Sequence, residues 1–88
     1  MKIKNGFAKR EIAGSYIVVP VGNTSRAFNG MITLNESGSF FWDCFCNDIT
    51  VEQAVEKVTA EYEVDPAVAK KDIEAFLDML RENGLVEE

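Results

Sequence analysis

The first part of the chain has the alternating hydrophobic pattern of short β-strands. Two such segments, Ala8–Ala13 and Tyr16–Val21, flank Gly14-Ser15, a two-residue turn typical of a tight hairpin. The second segment is rich in β-branched and aromatic residues, which favour strands. Pro20 marks its end or a side without a hydrogen-bonding partner, because proline has no N–H. The pattern therefore predicts an antiparallel hairpin.

A third strand is predicted at Phe28–Leu34, after a polar loop at Val21–Ala27. Asn29-Gly30 inside this strand is typical of a turn and also of a glycine bulge. We favour the bulge, because Met31–Leu34 alone is too short to pair well. The three strands would then form a meander with two free edges.

The rest of the chain has helical periodicity, with capping residues at the expected places. Asn35 is a good N-cap for a helix at Glu36–Phe45, which is so apolar that we expect it at the centre of the core. Thr50 and Gln53 form a capping box at the start of a second helix. Tyr62 lies at the end of that helix's apolar pattern. The pattern thus predicts a sheet followed by helices.

A third helix is predicted between Asp65-Pro66, an N-cap followed by proline at the first helical position, and Gly84, a typical C′ residue. Leu85-Val86 beyond it can fold back onto the core. At 100° per residue, one stripe of this helix is apolar and should face the core: Ala69, Ile73, Phe76, Leu77 and Leu80. A second, partly apolar row lies about a quarter-turn away: Val68, Asp72, Ala75 and Met79. This row can line a groove, or Ala75 and Met79 can simply widen the core face.

Charge divides the chain unevenly. The net charge of −6 combines a basic segment, residues 1–30 with five bases and one acid, and an acidic segment, residues 31–88 with four bases and fourteen acids. The acidic segment would repel phosphates, so nucleic acid is not an expected partner. It favours a basic partner by long-range attraction, or it serves only to keep the protein soluble.

Candidate catalytic chemistry is sparse. The chain has no histidine, no glycine-rich phosphate loop and no nucleophile motif, so we do not expect an enzyme. Cys44 and Cys46 supply two ligands where a structural zinc site needs four, and we interpret them as reduced thiols with no metal or cofactor. No apolar run is long enough for a membrane span, and we expect a cytoplasmic protein with no membrane partner.

From Gly30–Gly38 onward the sequence resembles the PqqD family. The similarity continues through Phe40-Phe41-Trp42, Thr50–Gln53, Tyr62–Asp65, Asp72–Leu77 and Leu80–Leu85, and the hairpin at Arg10–Gly22 is also similar. The similarity covers nearly the whole chain. These motifs, occurring together and in this order, are more specific than any single motif. Cys44-Phe45-Cys46 departs from the family, in which aliphatic residues and a turn are more usual at this position.

The resemblance implies an α+β fold, a three-stranded antiparallel sheet followed by three helices in a winged helix-turn-helix-like arrangement. Residues 1–88 would be one domain, with the sheet in 1–34 and the helices in 35–88. The family, also called RiPP recognition elements, binds the leader segment of a ribosomally made precursor peptide and presents it to a modifying enzyme, often a radical-SAM protein. The leader is held as an added strand against the third strand, and the third helix closes the groove.

The residues permit this mechanism, because Met31–Leu34 carries no charge and no proline that would block pairing at a free edge. Asp72 could contact a basic leader residue, or, as an acid near the N-terminus of its helix, it is explained equally well by the helix dipole. The candidate peptide-binding residues are Gly30, Met31, Ile32, Thr33, Leu34, Val68, Lys71, Asp72, Ala75, Phe76 and Met79. Two alternatives stay open: a winged-helix DNA-binding regulator, which the acids of the third helix disfavour, and an edge-paired homodimer without a peptide ligand.

Overall fold

The structure is a computed structural model, and it describes residues 2–22 and 31–87. Along the chain, the elements in the described residues are β1 (Lys2–Ile3), β2 (Phe7–Ile12), β3 (Ser15–Pro20), β4 (Ile32–Leu34), α1 (Glu36–Phe45), α2 (Val51–Glu61), α3 (Pro66–Glu82) and β5 (Val86–Glu87). Strands β2, β3 and β4 form an antiparallel sheet in that order. The predicted sheet and helices are confirmed.

The hairpin turn lies one residue earlier than predicted. Ile12 pairs with Ser15, so the two turn residues are Ala13-Gly14 and not Gly14-Ser15. Both have positive φ, 53° at Ala13 and 81° at Gly14. A two-residue turn with two positive φ angles matches the twist of the strands it joins, and placing Gly14 second leaves only Ala13 to bear the steric cost.

Of the third strand predicted at Phe28–Leu34, residues 28–30 lie outside the described residues, and strand β4 occupies Ile32–Leu34. Met31, immediately before β4, is 65% exposed. Asn29 and Gly30, and with them the choice between bulge and turn, lie outside the described residues. Three pairs join β4 to β3: Leu34 with Tyr16, Thr33 with Ile17 and Ile32 with Val18.

A second, two-stranded sheet joins the two ends of the described chain, and the sequence pattern did not predict it. Ile3 of β1 pairs with Val86 of β5, and the Lys4 N–H donates to the Leu85 carbonyl at 2.7 Å. Leu85 is fully buried. The prediction that the chain after Gly84 folds back onto the core is therefore confirmed.

Hydrogen bonds to the capping residues confirm where the three helices were predicted to begin. The Asn35 side chain accepts from the Gly38 N–H at 2.7 Å. Thr50 and Gln53 form the reciprocal capping box, and the Asp65 side chain accepts from the Ala67 N–H at 2.8 Å. These bonds satisfy donors that would otherwise lack partners in the first turn of each helix.

One apolar cluster links the sheet to the three helices. Val18 and Leu34 from the sheet pack with α1, α2 and α3, and the predicted core stripe of α3 is buried throughout. Trp42 and Phe76 lie in this cluster together with Phe41 and Leu80, as the sequence predicted. Helix α1 is therefore central, as its composition indicated.

Candidate functional site

Among the described residues, no strand pairs with the outer side of β4, and the hydrogen-bonding register shows which main-chain groups face that side. The Val21 N–H donates to the Gly6 carbonyl at 2.8 Å, which fixes residues 6 and 21 as a hydrogen-bonded pair at the end of the β2–β3 ladder. Such pairs alternate with non-bonded ones along an antiparallel ladder. The N–H and C=O of Tyr16 and Val18 therefore point from β3 toward β4.

It follows that Ile32 and Leu34 bond to β3, while Thr33 occupies a non-hydrogen-bonded position opposite Ile17. The N–H and C=O of Thr33 point away from β3, to the open side of the sheet. One donor and one acceptor are thus presented to an added strand from the middle of β4. The side chains of Ile32 and Leu34 face the core, and Leu34 is only 5% exposed.

A groove of about 400 Å³ starts where β4 ends. One wall is the N-terminal half of α1 with its capping residue, and the other wall is the middle of α3. Its lining residues are Asn35, Ser37, Gly38, Phe41, Asp72, Ala75 and Phe76. Three predicted site residues, Asp72, Ala75 and Phe76, thus lie together in a groove adjoining β4.

The floor of the groove is aromatic. The rings of Phe41 on α1 and Phe76 on α3 meet edge to face, with centroids 5.6 Å apart. Both side chains are largely buried, so only their edges reach the groove. The floor is therefore a rigid apolar surface fixed by the core.

A smaller cavity of about 190 Å³ continues from the groove and shares Ser37, Phe41 and Asp72 with it. Its other lining residues come from the C-terminal part of α2, the loop after it and the start of α3: Val58, Tyr62, Val64 and Ala69. Asp72, which is exposed, lines both spaces and is the only carboxylate among their lining residues. The other ionisable side chain among these residues, the phenol of Tyr62, lines the smaller cavity. A ligand in the groove would meet apolar surface and one carboxylate.

The remaining predicted site residues lie outside these two spaces. Val68 is 49% exposed and Lys71 is also exposed, but neither lines the groove or the smaller cavity. Met79 is half-buried and packs against the core, as the alternative interpretation of its row expected. Ala75, by contrast, is exposed and does not widen the core face. Gly30 lies outside the described residues.

The α1 wall was missed by the sequence analysis. Gly38 is buried there, and a side-chain carbon added to it would lie 3.0 Å from the Asn35 Oδ1 atom and 3.5 Å from the Leu34 Cβ atom. Glycine thus leaves room for the Asn35 side chain, which caps the helix by accepting from the Gly38 N–H. A glycine in the first turns of an otherwise apolar helix was the available signal, because glycine there weakens a helix unless packing requires it.

The described residues contain no cluster of three or more His, Cys, Asp or Glu side chains placed to hold a metal ion. Both cysteines are free thiols. Burial raises the pKa of the Cys44 thiol, partly offset by the positive charge of Lys57. Cys44 is therefore a neutral thiol near pH 7, which makes it a poor nucleophile and a poor metal ligand. Within residues 2–22 and 31–87, no helix is both long and apolar enough to span a bilayer.

A small three-stranded sheet with β4 as an edge strand, backed by three helices of which the third forms a groove wall, defines a winged-helix-like α+β protein with a candidate site at this edge and the adjoining groove. Residues 16–86 match the family described as Coenzyme PQQ synthesis protein D (PqqD). The chain belongs to the PqqD family. No curated protein sequence matches it significantly.

Two solved structures share the fold over almost their whole length. One is TbiB1 in complex with the TbiA(beta) leader peptide, with 25% sequence identity, a TM-score of 0.78, and 99% of this chain and 95% of that chain covered. The other is lasso peptide synthetase B1 complexed with the leader peptide, with 18% identity, a TM-score of 0.76, and 99% and 96% covered. The predicted fold class is confirmed.

Proposed function

We propose that this protein binds the leader segment of a ribosomally made precursor peptide by strand addition at β4 and presents it to a modifying enzyme. The observation that carries the proposal is the outward-facing N–H and C=O of Thr33 beside a groove walled by α3. Main-chain hydrogen bonds at a free edge supply affinity without regard to sequence, and side-chain pockets supply specificity. Membership of the PqqD family and the leader-bound structures of similar fold support it.

In this proposal the whole chain is one recognition domain, and the leader pairs antiparallel to β4. Thr33 supplies the edge bonds, Asp72, Ala75 and Phe76 line the groove, and Val68, Lys71 and Met79 contribute at its margins together with Gly30 and Met31. The protein has no turnover of its own and retains no metal. The modifying enzyme is a radical-SAM protein, and the complex acts in the cytoplasm, where ribosomes release the precursor.

The test uses fluorescein-labelled peptides in anisotropy titrations. The peptides are the N-terminal halves of short open reading frames adjacent to this gene, the TbiA(beta) leader as a heterologous probe, and a scrambled version of each. We expect at least one adjacent leader to bind with a Kd on the order of 1 μM, equivalent to about −8.2 kcal/mol. Its scrambled version should bind far more weakly.

Amide chemical-shift mapping with the bound leader locates the site. Shifts should concentrate at Met31–Leu34 and Asp72–Met79. Binding with shifts confined to β2 or α2 would contradict the proposed site. Binding of duplex DNA but of no leader would favour a winged-helix regulator, and dimerisation without any leader binding would favour edge pairing between copies of the chain. Metal retained stoichiometrically through dialysis against a chelator would contradict the absence of a metal.

A further inference from the structure

Lys9 on β2 connects the sheet to α1 through several contacts at once. Its Nζ atom lies 2.7 Å from the Ser39 Oγ atom and 3.4 Å from the Ser39 carbonyl oxygen. It also donates to both carboxylate oxygens of Asp43, at 2.8 and 2.9 Å. The same ammonium lies 5.4 Å from the ring centroid of Tyr16 on β3.

The contacts of Lys9 are partly shielded from solvent. The Lys9 side chain is only 19% exposed, although it carries a charge, and Ser39 is 6% exposed. The buried Ser39 hydroxyl needs a hydrogen-bonding partner, and the Lys9 ammonium supplies one at a partly buried contact. Moving α1 relative to β2 would separate them, so the contact favours one position of the helix.

Helix α1 presents opposite faces to the sheet and to the groove. Ser39 and Asp43, one turn apart, point toward Lys9. At 100° per residue, Phe41 lies on the opposite side of the helix, where it lines the groove and meets Phe76. A rotation of α1 that released Lys9 would therefore displace the groove floor.

We propose that Lys9 is a positioning residue for the groove: by holding Ser39 and Asp43, it fixes α1 against the sheet and so sets Phe41 and Gly38 opposite α3. Lys9 does not touch the peptide in this scheme. The expected effect of Lys9 on leader binding rests on the proposed function. Its effect on the position of α1 concerns the free protein and can be measured without a leader.

The test compares Lys9→Met, which keeps the length of the side chain without its charge, with Arg10→Met. Arg10 is the neighbouring residue on β2, is exposed, and faces the other side of the sheet, so its loss removes the same charge without touching α1. Asp43→Asn is a milder second variant, because Asp43 is 62% exposed and its replacement should fold even if Lys9→Met does not. Lys9→Arg is the conservative variant, since guanidinium can hold a carboxylate with two hydrogen bonds.

The first measurement needs no ligand. In the free proteins, Lys9→Met and Asp43→Asn should shift the amide resonances of Gly38 and Phe41 and those of the facing residues Asp72 and Ala75. Arg10→Met should leave these amides unchanged, and Lys9→Arg should restore most of the wild-type positions. Shifts confined to residues in direct contact with Lys9 would overturn the proposal, whether or not the wild type binds any leader.

The second measurement uses a labelled leader that binds the wild type, well below the melting temperature so that every variant is folded. Lys9→Met should weaken binding about tenfold, within the range typical of coupled sites. The Lys9→Met/Asp43→Asn double variant should be no weaker than Lys9→Met alone, because one contact is lost in both. Equal losses for Lys9→Met and Arg10→Met would overturn the proposal while leaving leader binding intact, whereas a wild type that bound no leader would count against the proposed function instead.

Discussion

Phe41 and Phe76 meet edge to face beneath the groove, with ring centroids 5.6 Å apart and ring planes at 68°. Edge-to-face pairs of this kind add stability beyond the area they bury. The contact also joins the central helix α1 to α3, which is the opposite wall of the groove. The same two rings therefore serve the core and the candidate site.

Phe76→Ala should lower the free energy of unfolding by about 3–5 kcal/mol, the usual cost of removing a buried phenylalanine. Because domains of this kind have a total free energy of unfolding of only about 5–15 kcal/mol, this loss is a large part of the protein's stability. Denaturant melts measure the change, and Val68→Ala on the same helix is the control, since Val68 is half exposed. A loss below about 1 kcal/mol would show that Phe76 does not hold the core.

Cys44 should make stability depend on pH at the alkaline end. Burial raises the pKa of this thiol above its ordinary value of 9.0, so the folded state holds the proton more tightly than the unfolded state. The stabilisation of the folded state by this thiol is fully present below pH 9.0, and it is lost as pH rises through the thiol's pKa in the folded protein. Melts between about pH 7 and 10 should show it as a difference between Cys46→Ala and the Cys44→Ala/Cys46→Ala double variant. A constant difference across this range would contradict the prediction.

Local signals predicted much of the fold. The Thr50–Gln53 capping box and the Asp65-Pro66 helix start depend on bonds within one turn, and a sequence records such bonds directly. The core stripe of α3 was predicted for the same reason, because its spacing follows from helix geometry alone.

Long-range contacts were not predictable in this way. The β1–β5 pair joins two-residue strands from opposite ends of the chain, which are too short to carry a pattern. Half of the groove was missed because its α1 wall is brought opposite α3 by contacts between residues far apart in the sequence, such as Phe41 with Phe76. Two members of the predicted row on α3, Asp72 and Ala75, line the groove. Periodicity alone could not separate them from Val68, which lies outside the lining, or from Met79, which packs against the core.

Ala75→Asp is the sharpest test of the α3 wall. Ala75 is exposed and lines the groove, so an added carboxylate there should weaken leader binding by about tenfold or more, with little change in stability. Ala67→Asp makes the same substitution at an exposed residue of the same helix, outside the groove lining, and serves as the matched control. Equal weakening by the two variants would mean that long-range charge, and not the groove, determines the effect.

Asp72 tests whether the leader is basic. It carries the only charge among the residues lining the main groove, and Asp72→Asn removes that charge with little change in shape. For a leader with a basic residue at this point, the variant should bind more weakly, and the difference from wild type should shrink as salt screens the interaction. Glu74→Gln, an exposed residue of α3 outside the groove lining, is the control. The same loss in both variants would contradict a specific contact at Asp72.

Thr33→Pro and Ile32→Pro separate binding from folding at neighbouring positions of β4. The Thr33 N–H faces the open edge, so its loss should abolish most leader binding while the helices and the β2–β3 hairpin remain folded. The Ile32 N–H bonds to β3 opposite Val18, so the same substitution there removes a ladder hydrogen bond and should lower the free energy of unfolding by about 1–3 kcal/mol.

Circular dichroism melts and anisotropy titrations of the two variants give the answer together. If Thr33→Pro destabilised the protein as much as Ile32→Pro, the Thr33 N–H would be part of the internal ladder, and the register derived from the Gly6–Val21 bond would be wrong. If Thr33→Pro folded normally and still bound the leader with wild-type affinity, the leader would not add as a strand to β4. A folded Thr33→Pro that has lost binding is the expected result, because the neighbouring residues Ile32 and Leu34 bond to β3 and cannot replace the lost edge donor.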